Sequence, residues 1–204
     1  MRTRALACGR SVAVASACLW SVLAHVTDAR AQQPTDAAVA QTLFDEGKRL
    51  MQEGKYAQAC PKLAESQKLD PGGGTLLALA LCHESEGKTA SAWGEFNEAA
   101  SVARKDKRTD REAAANEHIK ALDPKLVKLR IVVSSSVADL EIRRDNFVIG
   151  SAQWSLPIPV DPGPHTIDAS APGYKKWTTT ATVAGEGKVV DVVVPALDTA
   201  PKEV

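Results

Sequence analysis

The sequence of 204 residues has few of the side chains from which catalytic sites are commonly built. It holds four histidines and four cysteines, and aromatic residues make up 4 % of the chain. It contains no Gly-x-Ser-x-Gly motif, no phosphate-binding glycine loop and no two-histidine zinc motif, so the commonest hydrolase, nucleotide and zinc-protease patterns are absent. We therefore expect a protein that is not an enzyme and that carries neither a metal ion nor a cofactor.

The sequence also has no excess of charge of either sign, with 25 basic and 25 acidic side chains. A protein that binds polyanions usually carries a basic excess, so nucleic acid is not an expected partner. Residues 32–123 hold 12 basic and 15 acidic side chains, whereas residues 124–204 hold nine of each. The acidic excess of the chain therefore lies in the first of these two segments.

One long apolar run is present, and it lies near the N-terminus, from Ser11 to Val26. The run is preceded by basic residues and followed by small ones: Arg2, Arg4 and Arg10, then Ala29 and Ala31. This is the pattern of a secretory signal peptide, and a run of about 16 residues is shorter than the roughly 20 of a membrane span. We predict a signal peptide over residues 1–31 and no transmembrane span in the mature chain. A retained anchor and a lipid anchor on Cys18 are the alternatives.

Two cysteines, Cys60 and Cys82, remain after the predicted cleavage. An even pair of thiols in an oxidising compartment favours a disulfide, which would close a loop of about 20 residues and contribute roughly 3 kcal/mol in the chain-entropy model. Two free buried thiols are the alternative. His83 lies beside Cys82, but no further residue has the spacing of a metal ligand. We predict the disulfide and no metal site.

The composition of the mature chain changes near residue 124. Alanine, glutamate, lysine and leucine dominate before it, and valine, threonine, proline and glycine after it. Since helix formers give way to strand formers, we predict an α+β fold in two domains. The predicted organisation is a flexible linker over 32–37, a helical domain over 38–123, a β-domain over 124–197 and a disordered tail over 198–204.

The helical segment repeats itself with a period of 33 residues. Three positions recur: Gly54, Ala59 and Leu63 correspond to Gly87, Ala92 and Phe96. A glycine turn, a small alanine and a large apolar residue at this period indicate paired helices. We predict helices over 41–52, 56–69, 75–86 and 90–104. A fifth helix, starting with a capping box at Thr109 and Glu112, is expected to cap the array.

The repeat resembles the tetratricopeptide repeat over residues 38–105. The matching positions are Gly47, Gly54, Tyr56, Ala59, Leu63, Leu69 and Pro71 in the first unit and Leu79, Ala80, Gly87, Ala92, Phe96 and Ala99 in the second. The resemblance implies antiparallel helix pairs whose first helices line a concave groove for a peptide or protein partner. The groove residues expected on this basis are Asp45, Lys48, Arg49, Gln52, His83 and Glu84.

The second half predicts about seven short strands at a spacing of 8–12 residues, which is typical of a small β-sandwich or a partly open barrel. The segment from Pro162 to Tyr174 is similar to the PEGA domain, with a Pro-Gly turn, a following His165 and a Pro-Gly-Tyr motif. That resemblance implies a non-catalytic module in which His165 is structural. The whole layout is similar to exported Gram-negative envelope proteins, which implies the periplasm or the cell envelope.

The leading prediction is a non-enzymatic envelope scaffold whose helical domain binds a peptide or a protein. The alternative is a carbohydrate- or peptidoglycan-binding module of the β-domain. Its platform for a sugar ring would consist of Trp154, Tyr174 and Trp177, although aromatic residues at strand spacing are more often packed in a core. A hydrolase and a purely structural, self-associating protein are the remaining alternatives.

Overall fold

The computed structural model describes residues 35–134 and 137–201, so the predicted signal peptide lies outside the described residues. The described chain forms helices first and strands afterwards, which confirms the α+β class. Five α-helices open it: α1 (Asp36–Gln52), α2 (Tyr56–Leu69), α3 (Gly73–Glu86), α4 (Thr89–Lys105) and α5 (Thr109–Leu122). Among the described residues, no helix combines the length and the apolar character that crossing a membrane requires.

Consecutive helices pack against each other, from α1 against α2 to α4 against α5. The small residues of the repeat lie at the crossings, where Ala59 and Ala92 are fully buried. A Cβ atom on Gly47 would lie 2.7 Å from Cγ of Leu63, so only glycine lets α1 approach α2 this closely. The turn glycine Gly87 adopts a φ of 85°, a left-handed conformation that favours glycine.

The start of α5 differs from the predicted capping box. Thr109 is the first residue of the helix, and the N-cap position belongs to Arg108, whose side chain makes no capping hydrogen bond. Glu112 accepts a hydrogen bond of 2.7 Å from Nε of Arg104 on α4 instead of turning back to the helix start. The capping-box prediction is therefore wrong, because the carboxylate forms an ion pair with the preceding helix.

Seven strands follow a short 3-10 turn at Asp123–Lys125. They are β1 (Lys128–Val133), β2 (Glu141–Arg144), β3 (Phe147–Ile149), β4 (Ile158–Pro159), β5 (Gly163–Ser170), β6 (Trp177–Val183) and β7 (Val189–Val194). One sheet has the order β4-β1-β7 and the other β3-β2-β5-β6. Among the described residues, the first and last strands, β1 and β7, pair in parallel, and the other strand pairs are antiparallel.

Side chains of both sheets enter one hydrophobic core. It includes Leu129 and Val194 from the first sheet and Ile142, Ile167 and Val183 from the second, all at most 2 % exposed. Burial of these branched side chains is the main stabilising contribution that holds the two sheets together.

Regular structure extends past the predicted boundaries at both ends. Helix α1 begins at Asp36, inside the predicted linker, because the Thr35 hydroxyl accepts a hydrogen bond from the N–H of Ala38. At the other end, Asp198 and Ala200 form backbone hydrogen bonds with Lys175 and Gly173, inside the predicted tail. The helices and the strands belong to one compact unit.

Candidate functional site

A cleft of about 270 Å³ opens where α1, α3 and α5 meet. Phe44 lines it from α1, the glycines before and in the first turn of α3 form its floor, and Arg111 reaches it from α5. A Cβ atom on Gly74 would lie 3.3 Å from Nη1 of Arg111, so the glycine leaves the space that the guanidinium occupies. The cleft therefore combines an aromatic ring, accessible backbone, one cation and the carboxylate of Asp70 at the end of α2.

The same face of α3 meets α5 again two to three helical turns further on. Glu84 Oε2 lies 2.6 Å from Nδ1 of His118, and the His118 ring stacks on Phe96 with 4.5 Å between ring centroids. Gly74, Leu77, Leu81 and Glu84 follow each other at intervals of three and four residues, so they share one face of the helix. The first and last residues of this face, Gly74 and Glu84, are ten positions apart, which corresponds to about 15 Å along the helix.

Three of the expected groove residues lie on or next to this surface. The Lys48 ammonium lies 5.4 Å from the centroid of the Phe44 ring, which lines the cleft. Asp45 accepts a hydrogen bond of 3.0 Å from the side chain of Gln41, another cleft residue. Glu84 contacts α5 through His118. Lys48, Asp45 and Glu84 are thus placed around the surface formed by α1, α3 and α5.

Arg49 and Gln52 have a different environment on α1. Gln52 is exposed, and Arg49 forms ion pairs with Glu46 and Glu53 of the same helix. The hydrogen bond from Arg49 lowers the pKa of Glu46. A hydrogen bond from Lys55, together with the charge of Arg49, lowers the pKa of Glu53. The two carboxylates in turn raise the pKa of Arg49, so its charge is already engaged within α1.

His83 and Glu84 are neighbours in the chain but contact different helices. His83 Nδ1 lies 2.9 Å from both carboxylate oxygens of Glu95 on α4. The side chains of His83 and Glu95 are only 15 % and 20 % exposed, whereas Glu84 faces α5. The structure therefore brings Glu84 together with the cleft-bearing helices and brings His83 together with α4.

Cys60 and Cys82 form a disulfide that joins α2 to α3, with 5.6 Å between their Cα atoms. Both residues are buried, at 1 % and 0 % exposure. Possible ligand atoms of Cys60, His83 and Glu86 lie within 4.8 Å of one another. Because the Cys60 sulfur is bonded to Cys82, it offers no thiolate to a metal ion.

The three aromatic residues of the alternative sugar platform are half-buried and pack against the β core. The Trp154 indole N–H donates a hydrogen bond of 3.2 Å to the carbonyl of Ile149 on β3. Tyr174 pairs with Thr199 near the end of the described chain. Trp177 lines a separate cleft of about 370 Å³ that also contains Lys175 and Lys176. Neither Trp154 nor Tyr174 lines this particular cleft.

A further cleft, of about 310 Å³, lies at the junction between the helices and the strands. There the Asp161 carboxylate accepts hydrogen bonds of 2.9 Å from the N–H groups of Ala90 and Ser91 and one of 2.6 Å from the Ser91 hydroxyl. These two N–H groups belong to the first turn of α4, so Asp161 caps that helix from the β segment. We call this contact the Asp161 cap.

The sequence did not identify Arg111 or Asp161 as functional or structural contacts. Arg111 ends a charge-dense segment that resembles a solvated linker, and Asp161 begins a Pro-Gly turn. Asp161 lies about 70 residues from the helix that it caps. No local pattern connects the two positions, and only the folded chain brings them together.

Comparisons with known proteins complete this description. The chain matches no protein-family model. A comparison with curated proteins also finds no match.

Proposed function

We propose that this protein is a non-enzymatic scaffold of the cell envelope, and that its surface formed by α1, α3 and α5 binds a peptide segment of a partner protein. The observation that carries the proposal is the cleft that holds Phe44 and Arg111. Recognition sites of this kind combine an apolar contact with a few well-placed polar groups. The predicted signal peptide and the buried disulfide are consistent with an exported protein.

The chemistry of the cleft favours a segment with one apolar and one acidic side chain. The Phe44 ring offers an apolar surface, and the Arg111 guanidinium can donate two hydrogen bonds to one carboxylate. The first-turn N–H groups of α3, at Gly73 and Gly74, favour negative charge at the same place. Asp70, which also lines the cleft, opposes it in part. A segment that crosses the whole face would also pass Glu84 and His118.

Selection from a random peptide library against the mature chain tests the proposal. The affinity of a selected peptide is then measured by fluorescence anisotropy with wild type and Arg111→Gln. Because a hydrogen bond to a charged group contributes about 1.5–3 kcal/mol, Arg111→Gln should weaken binding by about tenfold or more. Circular dichroism checks that the helices are retained.

The matched control is Glu65→Gln on α2. Glu65 is exposed and contacts Lys68 of its own helix, outside the cleft. Its substitution should leave the affinity within about twofold of wild type, since surface ion pairs contribute little. Selected peptides that bind Arg111→Gln as well as wild type would place the binding surface elsewhere, and failure to select any peptide would contradict peptide binding.

Carbohydrate binding remains the second candidate because Trp177 lines the cleft next to two lysines. An exposed indole face can stack on a sugar ring. In sedimentation with purified peptidoglycan, most of the binding should then be lost in Trp177→Ala. Trp154→Ala is the control, since Trp154 does not line that cleft. Equal sedimentation of Trp177→Ala and wild type would remove this candidate.

A further inference from the structure

A histidine contacts the backbone of the residue that forms the Asp161 cap. His165 Nε2 lies 2.8 Å from the backbone carbonyl oxygen of Asp161, and His165 Nδ1 lies 2.6 Å from Oδ2 of Asp145. The His165 side chain is only 13 % exposed. A continuous chain of hydrogen bonds therefore runs from the turn between β2 and β3, through His165 and Asp161, to the first turn of α4.

Both ring nitrogens of His165 face groups that accept hydrogen bonds. A backbone carbonyl can only accept, so Nε2 must carry a hydrogen to make its contact. An ionised carboxylate can only accept as well, so Nδ1 must carry a second hydrogen. The geometry is satisfied when the ring is the doubly protonated imidazolium, with Asp145 as its counter-charge.

Two groups besides His165 lie close to the Asp145 carboxylate. Oδ1 accepts a hydrogen bond of 2.9 Å from the N–H of Thr166, and the Arg144 guanidinium lies 3.9 Å from Oδ2. Asp145 and Asn146 have φ angles of 50° and 69°, as in the tight turns that join two antiparallel strands. The turn thereby holds the carboxylate against His165.

We propose that His165 is a pH-sensitive link between the β-strands and the helices, in which the doubly protonated ring holds the Asp161 carbonyl and loss of the Nε2 proton to solvent loosens the Asp161 cap on α4. After that loss, Asp145 retains the Nδ1 hydrogen. The Nε2 lone pair then faces the lone pairs of the Asp161 carbonyl at 2.8 Å, and this contact becomes repulsive.

The sign of the effect follows from the charges around the ring. Asp145 is the carboxylate in contact with the ring, and the Asp161 carboxylate is bound by the first turn of α4. Besides His165, Arg144 is the one cation among the residues that line this cleft. From the helical side the cleft is lined by Ala90 and Ser91, which carry no charge. The proposal therefore has a definite sign: the cap is firm while both ring nitrogens carry hydrogens and weakens when rising pH removes the Nε2 proton.

Two-dimensional NMR of the mature chain tests this link. The amide signals of Ala90 and Ser91, whose N–H groups bind Asp161, are followed against pH together with the ring signals of His165. We expect both amides to shift with the same midpoint as the His165 ring. In His165→Gln this transition should disappear from both amides. Carboxyl groups titrate well below histidine, so a change confined to strong acid does not count as support.

His118→Gln is the matched control. His118 is also half-buried and paired with a carboxylate, but its partner is Glu84 and it has no contact with Asp161 among its hydrogen bonds and ion pairs in the described part of the chain. The variant should leave the pH dependence of Ala90 and Ser91 unchanged. Wild-type amides that stay constant while the His165 ring titrates would overturn the proposal, as would a transition that survives in His165→Gln or that disappears in His118→Gln.

Discussion

The first helix pair, α1–α2, and the second, α3–α4, are alike in their interiors and different in their connections. Positions 33 residues apart are buried in both pairs: Gly47 and Ala80, Ala59 and Ala92, Leu63 and Phe96. The turn glycines Gly54 and Gly87 both have positive φ angles. Each pair therefore packs by the same rule, a small residue on one helix facing a large apolar side chain on the other.

The connections of the two pairs depend on single residues. Lys55 and Lys88 occupy the N-cap positions of α2 and α4, and neither makes a side-chain capping hydrogen bond in the described part of the chain. Helix α4 receives Asp161 from the β segment in place of a local cap. The disulfide then joins α2 of the first pair to α3 of the second. The repeat thus encodes the packing within a pair, and isolated residues encode what holds the pairs in place.

Removal of the disulfide should be the strongest single disruption of the connection between the pairs. We expect the double variant Cys60→Ala/Cys82→Ala to lose about 2–4 kcal/mol of unfolding free energy, because the unfolded chain regains the freedom of the closed loop. Urea denaturation followed by circular dichroism measures the loss. Wild type with its disulfide chemically reduced is the control that separates the bridge from the change of side chain. A loss below about 1 kcal/mol in both would contradict the prediction.

Exchange of the small residues should test the close packing that the two interiors share. Gly47→Ala places a Cβ atom 2.7 Å from Cγ of Leu63, which is fully buried. We expect a loss of about 1–3 kcal/mol from overpacking, although alanine is the better helix former. The reverse exchange, Ala80→Gly, should cost about 1 kcal/mol through helix propensity.

The double variant Gly47→Ala/Leu63→Ala identifies the cause. Removal of the Leu63 side chain relieves the overpacking, so the two substitutions together should cost less than the sum of the single ones. Strict additivity, or a stabilising Gly47→Ala, would show that α1 and α2 can separate freely at this crossing.

The repeat pattern predicted the helices well because the information is local. The predicted helix over 56–69 matches α2, and the turn glycines fall where the 33-residue period puts them. The capping box at Thr109 failed because Arg104 on the preceding helix competes for Glu112. Side-chain contacts between helices depend on how the helices pack, and the spacing of residues along one helix does not predict that packing.

The candidate site was only partly predictable for the same reason. Helical spacing and the resemblance to the repeat family led to Lys48 and Glu84, which lie around the cleft or contact α5. They also led to His83, whose partner Glu95 lies on the adjacent helix. Arg111 enters the cleft from the fifth helix, outside the two repeats, and the junction with Asp161 requires the tertiary fold.

Loss of the Asp161 cap should have a smaller effect than loss of the disulfide or overpacking at Gly47. We expect Asp161→Ala to cost about 0.5–2 kcal/mol, the range for removal of a helix N-cap. Asp161→Asn keeps one acceptor oxygen and should cost less. Urea denaturation measures both variants, and hydrogen exchange should locate the loosening at the first turn of α4. An effect spread equally over the first turns of α2 and α4 would show that the substitution acts globally.

The smallest effect should come from the ion pairs of α1, for which the second helix pair has no equivalent: Leu79 stands 33 residues after Glu46. In wild type, the hydrogen bond from Arg49 holds the pKa of Glu46 below its ordinary value. A lowered carboxyl pKa stabilises the fold at neutral pH, and this contribution is lost as the pH falls through the lowered value. Arg49→Gln should therefore raise the Glu46 pKa and remove that part of the acid dependence.

NMR titration of the Glu46 side chain measures the change directly. Glu53 should respond less than Glu46, because its first hydrogen-bond partner is Lys55, which stays in place. Exposed ion pairs are screened by salt, so the difference between wild type and Arg49→Gln should shrink at high ionic strength. A Glu46 pKa that is the same in both proteins would show that the Arg49 side chain does not pair with Glu46 in solution. Arg49 would then be available to a peptide, as the repeat pattern predicts.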